Sequence, residues 1–226
     1  MGLLLVLRLV PGGARPAPGT SALTELRVFR DGAVCLAIAV TAVGNAGVLA
    51  VFTYIAPLAT TISGFAAGAV PLLLLAYGAG ATAGTFAGGR LSDRRPMRSQ
   101  LGLLAALAAA LVLTWYAAPS GPATAVMVVV LGALGFAVIP GMQSRVLATA
   151  TAAPTLAIAV NAAAYQVAAA VAGWFGGQVI RSGLGVRGVP LAAAAVTVAG
   201  VALSAYAWAR DRRGRGEPAP EPAGTP

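Results

Sequence analysis

The sequence predicts an all-α membrane protein with six transmembrane helices. Three observations predict it. Of 226 residues, 58% are hydrophobic and only 9% charged. Mean hydropathy is +0.85, whereas a soluble globular chain carries about 25% charged residues and covers its surface with them. Six stretches free of charge reach or approach the ~20 residues that a helix needs to cross the hydrocarbon core. Backbone groups in lipid must be satisfied within the segment, and the alternation of a membrane β-strand is missing, which leaves helices.

Residues 1–10 are apolar except for Arg8 and run into Pro11-Gly12-Gly13. They are too short to span. No positive region precedes the apolar run, as a secretory signal requires. They read as the remnant of a preceding transmembrane helix. Residues 11–31 read as a cytoplasmic loop. Within it, residues 20–31 form either an amphipathic helix on the inner membrane surface, with Leu23, Leu26 and Phe29 on one side, or a solvated linker helix. The bundle occupies residues 32–210, with spans at 33–56, 66–88, 101–118, 123–142, 156–180 and 189–209. Pro71 and Pro140 fall inside or near the ends of spans, where they can bend them. The connections (57–65, 89–100, 119–122, 143–155 and 181–188) are short, so sequence neighbours are antiparallel neighbours. Residues 211–226 are rich in Pro, Gly, Glu and Arg and are expected to be a disordered cytoplasmic tail.

Arginine sets the orientation. Eleven arginines flank the spans on one side, among them Arg90, Arg94, Arg95 and Arg98 in the second connection. Only Arg181 and Arg187 lie on the other. The positive-inside rule then puts both termini in the cytoplasm. The net charge of +9 is a topology signal rather than a nucleic-acid footprint, because no basic face is interleaved with aromatics.

Composition also removes several chemistries. The absence of His removes imidazole acid–base catalysis and His-ligated metals. All basic residues are Arg, so a Schiff-base lysine is excluded. One Cys allows no intrachain disulfide. The six carboxylates (Glu25, Asp31, Asp93, Asp211, Glu217 and Glu221) lie outside the spans. The chain therefore offers no carboxylate at membrane depth for proton coupling. No enzyme, cofactor or metal site is expected.

Polar residues inside spans point to a solute pathway. Thr41 and Asn45 lie four apart on the first span, with Phe52 continuing their face; Asn161 and Tyr165 do the same on the fifth, with Gln166 beside them. Tyr77, Thr82 and Thr85 lie on the second. The third span is apolar until Thr114, and the sixth has only Thr197, Ser204 and Tyr206. Spans one, two, four and five are expected to line a cavity, with three and six facing lipid. Asn45, Asn161, Tyr165 and Gln166 are the candidate cavity residues. For each, the alternative is a structural helix–helix hydrogen bond. Gly80, Gly84 and Gly88 recur every four residues on the second span, and Ala169, Gly173 and Gly177 on the fifth; such stripes let helices approach closely.

The second connection reads Gly88-Gly89-Arg90-Leu91-Ser92-Asp93-Arg94-Arg95-Pro96-Met97-Arg98. Glycine permits a tight turn at the helix end, and Asp93 is expected to cap the next helix N-terminus. This loop resembles the G-x-x-x-D-R-x-G-x-R signature of the major facilitator superfamily, with matches at Gly89, Asp93, Arg94 and Arg98 and with Pro96 in place of Gly. Phe52 to Leu58, and Asn161 to Tyr165 followed by Gly173-Trp174-Phe175-Gly176-Gly177, resemble the seventh and eleventh spans of bacterial drug and sugar (arabinose-type) efflux permeases. The resemblance covers about residues 1 to 210 and implies the C-terminal six-helix half of a major facilitator carrier. It implies a drug-like or sugar-like solute, an N-terminal half as partner in the bilayer, alternating access with proton coupling, and a gating loop built on Gly89, Asp93, Arg94 and Arg98. Two other readings stay open: a stand-alone six-span half-transporter that pairs with itself or another half, and a non-transporting membrane subunit or truncation product.

Overall fold

The computed structural model describes residues 30–151 and 153–214. The expected helix remnant at 1–10, the expected cytoplasmic segment at 11–29 and the expected tail beyond 214 lie outside the described residues. Six long helices account for most of the rest: α1 (Gly32–Thr53), α2 (Val70–Arg94), α3 (Pro96–Ala117), α4 (Gly121–Thr149), α5 (Pro154–Val179) and α6 (Gly185–Gly214). No strand occurs among the described residues. The chain is a multi-pass membrane protein by the length and apolarity of these helices.

Local chemistry sets the ends. Asp31 caps α1 by accepting the Ala33 N–H at 2.8 Å. Beyond Thr53 comes Pro57, which cannot donate to the Thr53 carbonyl, and the helix gives way to a short turn at Ile55–Pro57 and a wider one at Leu58–Ile62. α2, α3, α4 and α5 each carry a proline in their first two positions, where the missing N–H has no helical partner to lose. Pro71 therefore starts α2 rather than bending it, whereas Pro140 does lie inside α4. Between α5 and α6 the chain turns through Gly183 (φ 92°) and Gly185 (φ 63°), a left-handed backbone that favours glycine.

The helices outrun the apolar stretches that announce them. α2 continues through the charged segment to Arg94, and α3 begins at Pro96, so the predicted connection 89–100 shrinks to Arg95. α6 continues to Gly214, so residues 211–214 are helical where a disordered tail was expected. A formed helix extends at one hydrogen bond per residue without needing an apolar side chain.

Four helices form a row in the order α2, α4, α1, α5. α3 stands behind it against α4 and α6, and α6 packs on α1 and α3. Leu104, Leu107 and Leu111 of α3 are fully buried in this seam. The α2–α4 contact is the tightest. A Cβ on Gly80, Gly84 or Gly88 would collide with the backbone carbonyl of Val129, Ala133 or Ala137, and one on Gly132 would collide with that of Tyr77. The stripe is a backbone-to-backbone seam, as small residues in a membrane permit. The fifth-span stripe is looser. A Cβ on Gly173 would meet only a Thr53 methyl at 3.8 Å, and one on Gly177 the Tyr54 hydroxyl at 3.1 Å. The crowded position is Gly176, against the Tyr54 ring. A second seam, between α1 and α6, rests on Gly44, Gly47 and Gly200.

Candidate functional site

A cavity of about 500 Å³ opens between α1, α4 and α5. It contains all four residues picked for it: Asn45 from α1 and Asn161, Tyr165 and Gln166 from α5. α4 supplies Phe136, Ile139, Met142, Gln143 and Val146. No residue of α3 or α6 reaches it. α2 also contributes no lining residue, which corrects the expectation for the second span. Tyr77 of α2 stands one layer behind, 4.8 Å from the Phe52 ring and 6.3 Å edge-on from Phe136. Thr82 and Thr85 bond back to the carbonyls of Gly78 and Ala81 on their own helix.

The cavity wall holds no charged side chain. Asn45 is 1% exposed. Its amide nitrogen donates to the Thr41 carbonyl at 2.8 Å and to the Met142 sulfur at 3.0 Å. Both partners are acceptors, so they fix the amide orientation and leave Oδ1 facing no donor. Asn161, 6% exposed, likewise has an unpartnered Oδ1. An unmet buried acceptor costs about 1–3 kcal/mol, which a bound donor recovers. The wall can therefore hold an apolar body against Phe136, Ile139 and Val146 and receive hydroxyl or amide hydrogens at two points.

Sequence reasoning placed the fourth span on the cavity but named none of the α4 residues that line it. Met142 is apolar, and Gln143 sits at the end of the charge-free run, where it reads as loop. The only available signal was their spacing of four from Val138 and Ile139 on one helical face.

The arginine-rich end departs from expectation in detail. Asp93 lies exposed in the last turn of α2 and does not cap α3, whose N-cap is Arg95 with no side-chain capping bond. Arg95 adopts φ −149°, ψ 72° because the residue before a proline is pushed out of the helical region. A Cβ on Gly89 would meet nothing within 4 Å, so this glycine is not needed for packing or for a turn. Arg94 and Arg98 are exposed. Asp93 instead lines a second cavity of about 570 Å³ with Ser92, Gln100, Arg145 and Asp211. Arg145, 8% exposed, pairs with Asp211 of α6 at 3.1 Å, the sole ion pair among the described residues. Its remaining Nη donates to the Met97 sulfur at 2.9 Å, and its Nε is unpartnered. This pair joins residues 66 apart, so no local pattern announces it. Asp211→Asn is expected to lower stability by about 1–3 kcal/mol, below the usual range for a broken buried pair because Asp211 is a quarter exposed. Thermal unfolding in detergent measures it.

Curated relatives agree with this architecture. The uncharacterized MFS-type transporter YtbD of Bacillus subtilis is 30% identical over 213 residues, covering 92% of this chain and 54% of that protein. The inner membrane transport protein YdhP of Escherichia coli K12 is 34% identical over 199 residues, 88% of this chain and 50% of that protein. The chain belongs to the major facilitator superfamily. A chloramphenicol resistance protein of Streptomyces lividans is 36% identical over 172 residues, 73% of this facilitator chain and 43% of that protein. The facilitator chain spans about half the length of these relatives. No family model matches it.

Proposed function

We propose that the chain is the C-terminal half of a major facilitator efflux permease and forms one wall of its solute path. The observation that supports this reading is the convergence of Asn45, Asn161, Tyr165 and Gln166 on one uncharged cavity with two unmet acceptors. Such a wall suits a small neutral solute that carries hydrogen-bond donors on an apolar frame. The two halves would rock around this midplane site. Proton coupling, which needs a titratable group at membrane depth, would come from the N-terminal half. With both termini cytoplasmic, as the arginine distribution implies, the second cavity faces the cytoplasm. Gly89, Asp93 and Arg94 at the end of α2 and Arg98 at the start of α3 then form the gating segment in place of a loop. Asp93 shares that cavity with Arg145, which is held by Asp211. A carboxylate exchange at Arg145 would let the segment favour one conformation over another.

Chloramphenicol, named for the Streptomyces relative, is the first solute to test. Cells expressing the carrier are expected to accumulate less of it than cells without. Asp93→Asn is expected to cut efflux at least tenfold while membrane insertion, read by immunoblot of the membrane fraction, is unchanged. Wild-type efflux in that variant overturns the gating role.

A further inference from the structure

A third cavity, about 700 Å³, opens at the arginine-rich end between the N-terminus of α3 and the end of α6. Arg95, Arg98 and Arg212 line it, together with Pro96, Trp208 and Asp211. Asp211 is committed to Arg145. The three guanidinium groups have no ion-pair partner among the described residues, so the hollow carries unbalanced positive charge. Arg212 stacks over the Trp208 ring, 4.7 Å from its centroid, which holds one guanidinium at the rim. Tryptophan at a helix end marks headgroup depth in a bilayer. Guanidinium groups bind phosphate oxygens in pairs, with a planar fork that fits them.

Toward the middle of the helices the exposed residues next to this hollow are small and apolar, except for Tyr206 on α6. Gly102, Ala105 and Ala106 on α3 are exposed there, as are Ala202 and Ala205 on α6. The two helices are tied just beneath the hollow by Gln100 and Ser204 at 3.5 Å. A basic hollow at headgroup depth continued by a shallow apolar strip matches a phosphate ester attached to acyl chains.

We infer that the hollow of Arg95, Arg98, Arg212 and Trp208 binds a phosphate ester, supplied by an anionic phospholipid of the surrounding leaflet. The site is separate from the solute cavity and needs no solute. It would make the position of α3 against α6 depend on lipid composition, because the headgroup bridges the ends of both helices.

Quenching of Trp208 fluorescence by brominated lipids tests it. The full chain is purified in detergent and titrated with mixed micelles of brominated phosphatidylglycerol or brominated phosphatidylcholine. The difference between wild type and Trp208→Phe isolates the signal of that ring from Trp115 and Trp174. Half-quenching is expected at a mole fraction of phosphatidylglycerol at least fivefold below that of phosphatidylcholine. Arg95→Gln and Arg212→Gln are each expected to weaken the phosphatidylglycerol response about fivefold, the contribution of one arginine near an anionic surface. The lipid comparison needs only the wild-type chain and the ring variant, so it stands if an arginine variant misfolds. Equal quenching by the two lipids overturns the proposal. Displacement of phosphatidylglycerol by millimolar inorganic phosphate would assign the hollow to a soluble phosphate and overturn the lipid assignment. Persistence of the lipid in that phosphate supports it.

Discussion

Gly84→Val is expected to prevent assembly of the folded bundle. A Cβ at Gly84 would lie on the carbonyl oxygen of Ala133 in α4. The obstacle is backbone, not the end of a flexible side chain, so it cannot rotate away. Overpacking in a core costs about 1–3 kcal/mol when side chains can shift. Here α2 and α4 must separate along the seam that Gly80 and Gly88 share, so the cost exceeds that range. Gly78 lies about 1.7 turns away on an exposed part of α2, and a Cβ there would meet nothing within 4 Å. Gly78→Val is expected to change stability by about 0.5 kcal/mol or less, as surface substitutions do. Gel filtration of both variants in mild detergent distinguishes them. Gly84→Val should run as aggregate and Gly78→Val as wild type. A monodisperse Gly84→Val chain would mean that α2 and α4 are not in backbone contact.

Asn45→Leu should separate transport from stability. Leucine has the same branched skeleton with bulkier ends, removes the unmet Oδ1 and leaves Met142 an apolar neighbour. Stability should hold or rise slightly, because replacing an unsatisfied polar group by an apolar one of like shape is close to neutral. Transport of a donor-bearing solute should fall about 10–100-fold in kcat/KM, the discrimination of roughly 1–3 kcal/mol expected when a site loses one hydrogen-bond partner. A methyl-ether analogue of the same solute, which cannot donate, should be transported equally by both proteins. Proteoliposome uptake with the two solutes measures this. An equal loss for both would mark Asn45 as a packing residue.

The spans were legible because charge-free runs of this length have few other uses. Their ends were not, since helix propagation through Ser92–Arg94 or Asp211–Gly214 follows from backbone geometry, not from hydropathy. The break at Arg95 was written in Pro96, but the arginine cluster around it read as a loop. Asn45, Asn161, Tyr165 and Gln166 were legible as one group because polar residues four apart share a helical face. The second-span glycines were legible by the same periodicity. The fifth-span stripe used that rule and marks a looser contact, pressed by Tyr54 at Gly177 but open at Gly173, because an Ala- and Gly-rich helix produces such spacings whether or not a neighbour presses on every position. Tyr77 was a polar residue inside a span, yet it packs between Phe52 and Phe136 behind the cavity. Spacing fixes a face of the helix but not the depth of what lies in front of it. The partnership of Arg145 with Asp211 depends on α6 packing on α1 and α3 so that its end reaches α4, which no window of sequence contains.

The central claim is that the space between α1, α4 and α5 is a hydrated solute path. Water access at Gln166 tests it most directly. In a Cys35→Ser background, Gln166→Cys and Val198→Cys are expressed in bacterial membranes and exposed to a membrane-impermeant maleimide. Val198 is 56% exposed on α6, away from the cavity. Labelling of Gln166→Cys with Val198→Cys inert is the result predicted, because maleimide needs the aqueous thiolate and only the cavity brings water to mid-helix depth. If Gln166→Cys is as inert as Val198→Cys, this wall faces lipid or packed protein and the chain does not line a path here.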